Sequence, residues 1–193
     1  MKRLSERVAR NDSLNAVTTT MKPSSIQTSK TPVLYETEND LPKGARTKIV
    51  ALINQRLADV IDLQMQLKQA HWNVKGPHFI GLHELFDNIA GDVEGYVDMI
   101  AERAVQLGGI ALGTVRMAAS RSRLEEYPLG IADGSAHVEA VAGALSTFGR
   151  EARTTIDAMD ALEDVDSADM FTELSRGIDK WLWFVEAHTQ AAK

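Results

Sequence analysis

Apolar residues recur at helical spacing through four long stretches of the 193-residue chain, and this pattern restricts the fold more than any other feature. The first stretch carries Ile49, Leu52, Ile53, Leu57, Val60, Ile61, Met65 and Leu67, and runs from about Lys43 to Asn73, where Val74-Lys75-Gly76-Pro77 breaks it. The second, from about Phe79 to Leu107, carries Leu82, Phe86, Ile89, Val93, Val97, Ile100, Ala104 and Leu107 and ends at Gly108-Gly109. Residues 109–134 mix glycine, Pro128 and charge around a short helix expected near Leu112 to Ala119, and read as a long crossover. A third helix is expected from about Ser135, on Val138, Val141, Leu145, Phe148, Ala152, Ile156, Met159 and Leu162. The fourth is expected after Asp166-Ser167 as N-capping residues, on Phe171, Leu174, Ile178, Leu182 and Val185. Short links within each pair of helices and a long one between the pairs predict an all-α, ferritin-like four-helix bundle with one crossover over residues 43–193.

Residues 1–42 lack a sustained apolar period, are rich in Ser, Thr, Asn and Lys, and read as a flexible arm. Within residues 1–30, Lys2, Arg3, Arg7, Arg10, Lys22 and Lys30 face only Glu6 and Asp12, an excess of four positive charges. The whole chain stands at −6, so the remainder carries −10. A basic tail on an acidic body is the result. The absence of cysteine excludes disulfides, thiolate zinc sites and iron–sulfur clusters, leaving imidazole and carboxylate for any metal chemistry. No apolar run approaches the ~20 residues of a membrane span, and no secretory h-region opens the chain, so the reading is a soluble, cytoplasmic protein.

The second helix has an odd polar stripe. With His83 at 0° and roughly 100° per residue, Asp87, Asp98 and Glu102 fall near ~40°, ~60° and ~100°, opposite an apolar stripe at about 240–320°. Most charged stripes are solvated surface. Two details oppose that reading here. Gly91 and Gly95 lie inside the stripe, where each costs ~1 kcal/mol relative to Ala unless another backbone approaches. Asp98 and Glu102 set like charges at i and i+4, which is unfavourable unless a cation sits between them. Asp87 and Asp98 are 11 residues apart, ~16 Å along the axis, and cannot share an ion within one chain. They can do so only across a two-fold axis between antiparallel copies, giving two equivalent sites per dimer. His71, across the short turn from His83, adds a nitrogen ligand. An N/O set without sulfur suits iron or manganese, with zinc also admissible.

The segment KQAHWNVKGPHFIGLHELFDNIAGDVEGYVDMIAERAVQLGG, Lys68 to Gly109, with DKWLWFVEAH near the end, resembles the DNA-binding proteins from starved cells, the Dps mini-ferritins, and the resemblance extends from about Leu34 to Glu186. It implies a shell of twelve subunits that oxidises Fe(II), chiefly with hydrogen peroxide, and stores ferric mineral, so protecting DNA. It assigns His71, His83 and Asp87 from one subunit and Asp98 and Glu102 from its two-fold mate as the iron ligands, Trp72 as a radical trap, and His78 as an outer-shell group or a surface histidine. Glu163, Asp164, Asp166 and Asp169 resemble the acidic stretch lining pores through which iron enters, or else form a solvated turn. Larger ferritins use Glu-x-x-His pairs, and the chain has none. The arm's six basic residues would contact DNA phosphates without sequence preference. Two alternatives stay open: a nucleoid-packing DNA-binding protein with a vestigial metal site, and a non-catalytic zinc or manganese binder.

Overall fold

The computed structural model describes residues 33–190. These form five helices: α1 (Lys43–Asn73), α2 (Phe79–Gln106), α3 (Val115–Arg121), α4 (Gly134–Asp160) and α5 (Val165–Gln190), with no strand among the described residues. The four long helices pack chiefly as two hairpins, α1 with α2 and α4 with α5. Between them Phe86, Phe148 and Phe171 are fully buried with Ile49, Ile53, Leu57, Ile89 and Leu145. Each of these lies in an apolar stripe of its own helix, and burial of such side chains contributes ~1.5–3 kcal/mol apiece.

The crossover has no apolar period of its own, and α1 satisfies its backbone with polar side chains. Asn54, 4% exposed, donates to the Ile110 carbonyl at 3.0 Å and accepts from the Leu112 amide at 2.7 Å. Gln55 donates to the Arg121 carbonyl, Asp59 accepts from the Arg123 amide, and Gln66 donates to the Glu125 carbonyl. Unpaired backbone groups at these depths would be costly, so the polar residues interrupting α1's apolar pattern have a structural cause. Asn54 holds Leu112 outside the helix and Thr114 caps α3 at the Met117 amide, so the short helix starts later than Leu112 and runs past Ala119.

Two further boundaries differ from the sequence reading. The fourth long helix begins at Val165, before the expected caps Asp166 and Ser167. Its capping side chain is Asp164, which accepts from the Ser167 amide at 3.1 Å after Glu163 turns the chain with φ 61°. At the other end, residues 33–42 were expected to belong to the arm. In the structure the Tyr35 amide donates to the Gly108 carbonyl at 2.7 Å, and the Arg46 guanidinium joins the Leu41 and Leu107 carbonyls. Gly108 has φ +81°, and a Cβ there would lie 2.4 Å from the Tyr35 carbonyl oxygen, so this close approach requires glycine. The packed body therefore begins before α1. Lys2, Arg3, Arg7, Arg10, Lys22 and Lys30 lie outside the described residues.

Candidate metal centre

His71 lies in the last turn of α1 and His83 in the second turn of α2, joined by a five-residue link that turns at Gly76 with φ +109°. The Lys75 amide, which could have capped α1, donates instead to the Ala132 carbonyl. The His71 carbonyl is left without a helical donor, as at any helix C-terminus. His83 supplies one: its Nδ1 donates to the His71 carbonyl at 2.8 Å, and His71 Nδ1 donates to the His83 carbonyl at 2.7 Å. The two rings stack with centroids 3.8 Å apart and 20° between planes, and Phe79 lies 5.1 Å from the His83 ring. A carbonyl only accepts, so both Nδ1 atoms carry hydrogen. The lone pair of each neutral imidazole is then on Nε2, the form that ligates metals.

Asp87 follows His83 by one turn, with its carboxylate 3.9 Å from His71 Nδ1 and 2.6 Å from the Lys68 ammonium. The Lys68 hydrogen bond holds the Asp87 carboxyl below the usual carboxylate range, opposed by desolvation and reinforced by His71. Lys68 was missed by sequence reasoning. Its position three residues before His71, on one face of α1, was the available signal. Asp98 and Glu102 are exposed farther along α2, and Gly91 and Gly95 between the two carboxylate groups are open: a Cβ at either would meet nothing within 4 Å. Around Glu102 the surface is largely apolar, formed by Ala101, Val105 and Ala111 beside Gln106, with Val105 57% exposed. No three His, Asp or Glu side chains come together as a metal-binding group within one chain among the described residues.

Trp72 is 59% exposed beside His71. His78 is the residue before α2 and lines a cleft of about 410 Å³ with Asp133 and His188. Of the acidic turn, Glu163, Asp166 and Asp169 are exposed. Asp164 is a correction to the pore reading: it is 2% exposed, and its carboxylate is taken by Arg103 at 2.7 Å and by the amide and hydroxyl of Ser167. A carboxylate engaged in this way caps α5 and ties it to α2, and is not available to passing cations.

The bundle, its single crossover and the histidine–carboxylate face of α2 define a ferritin-like protein, and the ferritin-like domain family matches residues 50–193. A DNA protection during starvation protein of Agrobacterium fabrum is 44% identical over 156 residues, covering 81% of this chain and 96% of that protein. Among solved structures, DpsA14 from Streptomyces coelicolor superposes with a TM-score of 0.78 at 31% identity, covering 84% of this chain and 95% of its own. The tetragonal form of Mycobacterium smegmatis Dps gives 0.78 at 30% identity, covering 83% and 96%. The chain belongs to the Dps family within the ferritin-like class. None of its described helices is long and apolar enough to cross a membrane.

Proposed function

We propose that the protein oxidises Fe(II), chiefly with hydrogen peroxide, at sites shared between two-fold-related subunits, and stores the ferric product inside a twelve-subunit shell in the cytoplasm. The observation that carries this reading is the reciprocal clamp of His71 and His83, which fixes both Nδ1 atoms as donors and leaves both Nε2 lone pairs for iron. Asp87 completes one half of the site. Asp98 and Glu102 of a second subunit supply the other, because the ~16 Å between the two carboxylate groups forbids a shared ion in one chain. The open backbone at Gly91 and Gly95 and the exposed apolar surface of Ala101, Val105 and Ala111 suit close approach of that second helix.

Iron is the substrate. Imidazole and carboxylate ligands favour Fe(III), and two Fe(II) ions with one peroxide and two protons yield two Fe(III) and two waters, so no hydroxyl radical is released. Zinc or manganese would compete for the same N/O set. Anaerobic Fe(II) mixed with peroxide is expected to be oxidised rapidly and retained, and the double change Asp98→Ala, Glu102→Ala to slow this to background. Equal rates in both proteins would reject the enzymatic reading and favour a nucleoid-packing protein with a vestigial site. Tight zinc or manganese binding with no oxidation would favour a non-catalytic binder.

Protection of DNA follows from removing iron and peroxide together, and the charge asymmetry favours direct contact as well. Six basic residues against two acidic ones in residues 1–30, repeated on twelve arms, multiply weak phosphate contacts. Retardation of duplex DNA is expected to weaken steeply with salt and to vanish when residues 1–30 are removed. Retention unchanged after that truncation would exclude the arm.

A further inference from the structure

The last turn of α1, which carries His71, is met by two imidazoles from other helices. One is His83, whose Nδ1 donates to the His71 carbonyl at 2.8 Å. The other is His137 in the first turn of α4, 1% exposed, with the Asn73 and Ile131 carbonyls against its ring. His137 Nδ1 lies 2.6 Å from the hydroxyl of Tyr127, which is buried in the crossover, and Nε2 is buried without a well-aligned partner. Two apolar rings would fill this space without burying polar atoms, so packing alone does not account for the pair. The carbonyls select its protonation state. Burial holds the imidazole below its usual range, so at neutral pH it carries one ring hydrogen. With that hydrogen on Nδ1, the Nε2 lone pair would be set against carbonyl oxygens and repelled. With it on Nε2, the ring donates toward Asn73 and Ile131 while Nδ1 accepts from the phenol. Burial also pushes the Tyr127 phenol up, so it keeps the hydrogen that this bond requires.

Asn73 is the final residue of α1, in the same turn as His71, and its side chain closes that turn by donating to the Gln69 carbonyl at 2.8 Å. The next amide, Val74, donates to the Ala70 carbonyl, and Lys75 leaves the helix to donate to Ala132 at 2.9 Å. The helix continues no further, so the carbonyls of His71 and Asn73 lack helical donors, and each meets an imidazole instead. We propose that Tyr127 and His137 are positioning residues for the candidate metal centre: the phenol fixes His137 as an Nε2–H donor, and that donor holds the end of α1 where His71 and His83 clamp each other. Tyr127 acts on His137 as the clamp carbonyls act on the ligand histidines, by fixing a tautomer. The crossover and the start of α4 thereby become part of the frame of the site, and the Lys75–Ala132 hydrogen bond lays the α1–α2 link against the same segment. The consequence for iron rests on the reading of His71 and His83 as its ligands, whereas the positioning itself does not.

Solid-state NMR of the full-length, assembled, metal-free protein, isotopically labelled at histidine and held above the histidine titration range, separates the two. The His188→Asn background removes the exposed histidine whose Nδ1 also meets backbone carbonyls. In that background His71 and His83 are expected as Nδ1–H and His137 as Nε2–H. His137→Phe keeps a ring but removes donor and acceptor, and is expected to abolish the hydrogen-bonded Nδ1–H signals of the clamp. His137→Gln, which offers an amide donor and a carbonyl acceptor, is expected to restore them. A space-filling role predicts the reverse order, with Phe the better replacement. Anaerobic Fe(II) binding is expected to weaken about tenfold in His137→Phe and to recover in His137→Gln. Clamp signals unchanged in His137→Phe, or His137 found as Nδ1–H, would overturn the proposal, as would an unchanged Fe(II) affinity once the clamp is lost. A protein that shows the expected tautomers and their loss yet oxidises no iron would reject the ferroxidase reading and uphold the positioning. Should His137→Phe fail to assemble, Tyr127→Phe decides: removing the hydroxyl alone is expected to mix the His137 tautomers, and an unchanged spectrum refutes the proposal.

Discussion

If the oxidation site is divided between subunits, two inactive variants must restore each other in a fixed proportion. Consider one variant lacking the imidazoles, His71→Ala with His83→Ala, and a second lacking the distant carboxylates, Asp98→Ala with Glu102→Ala. Each homo-oligomer has every site incomplete, because each site takes its histidines from one chain and its distant carboxylates from the other. In a random equal mixture about half of the two-fold pairs are mixed, and one of the two sites in each mixed pair is assembled wholly from intact halves. The other site in that pair is doubly damaged. Activity is therefore expected to recover to about a quarter of wild type per subunit. The assay is anaerobic Fe(II) oxidation by peroxide after co-expression with two affinity tags, purifying shells that carry both. Mixed shells that remain inactive would refute the divided site. Activity in either homo-oligomer alone would refute it too, since one chain would then suffice.

Three further outcomes follow from particular contacts. Lys68→Met removes the ammonium bonded to Asp87, so the Asp87 titration followed by NMR is expected to move up toward the usual carboxylate range, and Fe(II) binding in calorimetry to tighten as the competing cation is lost. Arg103→Met leaves the Asp164 carboxylate buried with only Ser167 as partner, and is expected to cost near the lower end of the ~3–5 kcal/mol seen when one member of a buried ion pair is removed; an unchanged melting temperature would contradict this. His137 has a depressed affinity for protons when folded, so the unfolded chain binds the proton first and acid draws the equilibrium toward unfolding. Stability is fully present above about pH 6.5 and falls below it until the folded histidine also protonates. The urea midpoint of His137→Gln should show a flatter slope over that window.

The sequence by itself determined the fold class and the chemistry it could carry. Four apolar stripes at helical spacing with one long interruption define the two hairpins, since a stripe on one face must be buried and only the long link permits a crossover. The lack of cysteine, the i,i+4 acids Asp98 and Glu102, and the glycines between the carboxylate groups are what the proposal of a shared N/O site draws from the sequence, because these depend only on residue type and helical geometry. Contacts made across the fold were not legible. That Asn54, Asp59 and Gln66 serve the crossover, that Asp164 is a buried cap and partner of Arg103, and that Lys68 restrains Asp87 all depend on which distant groups meet. The reciprocal His71–His83 clamp and the buried Tyr127–His137 pair are of the same kind. A polar residue's partner is set by tertiary packing, and packing also decides whether a histidine is a free ligand, a clamp or a proton acceptor.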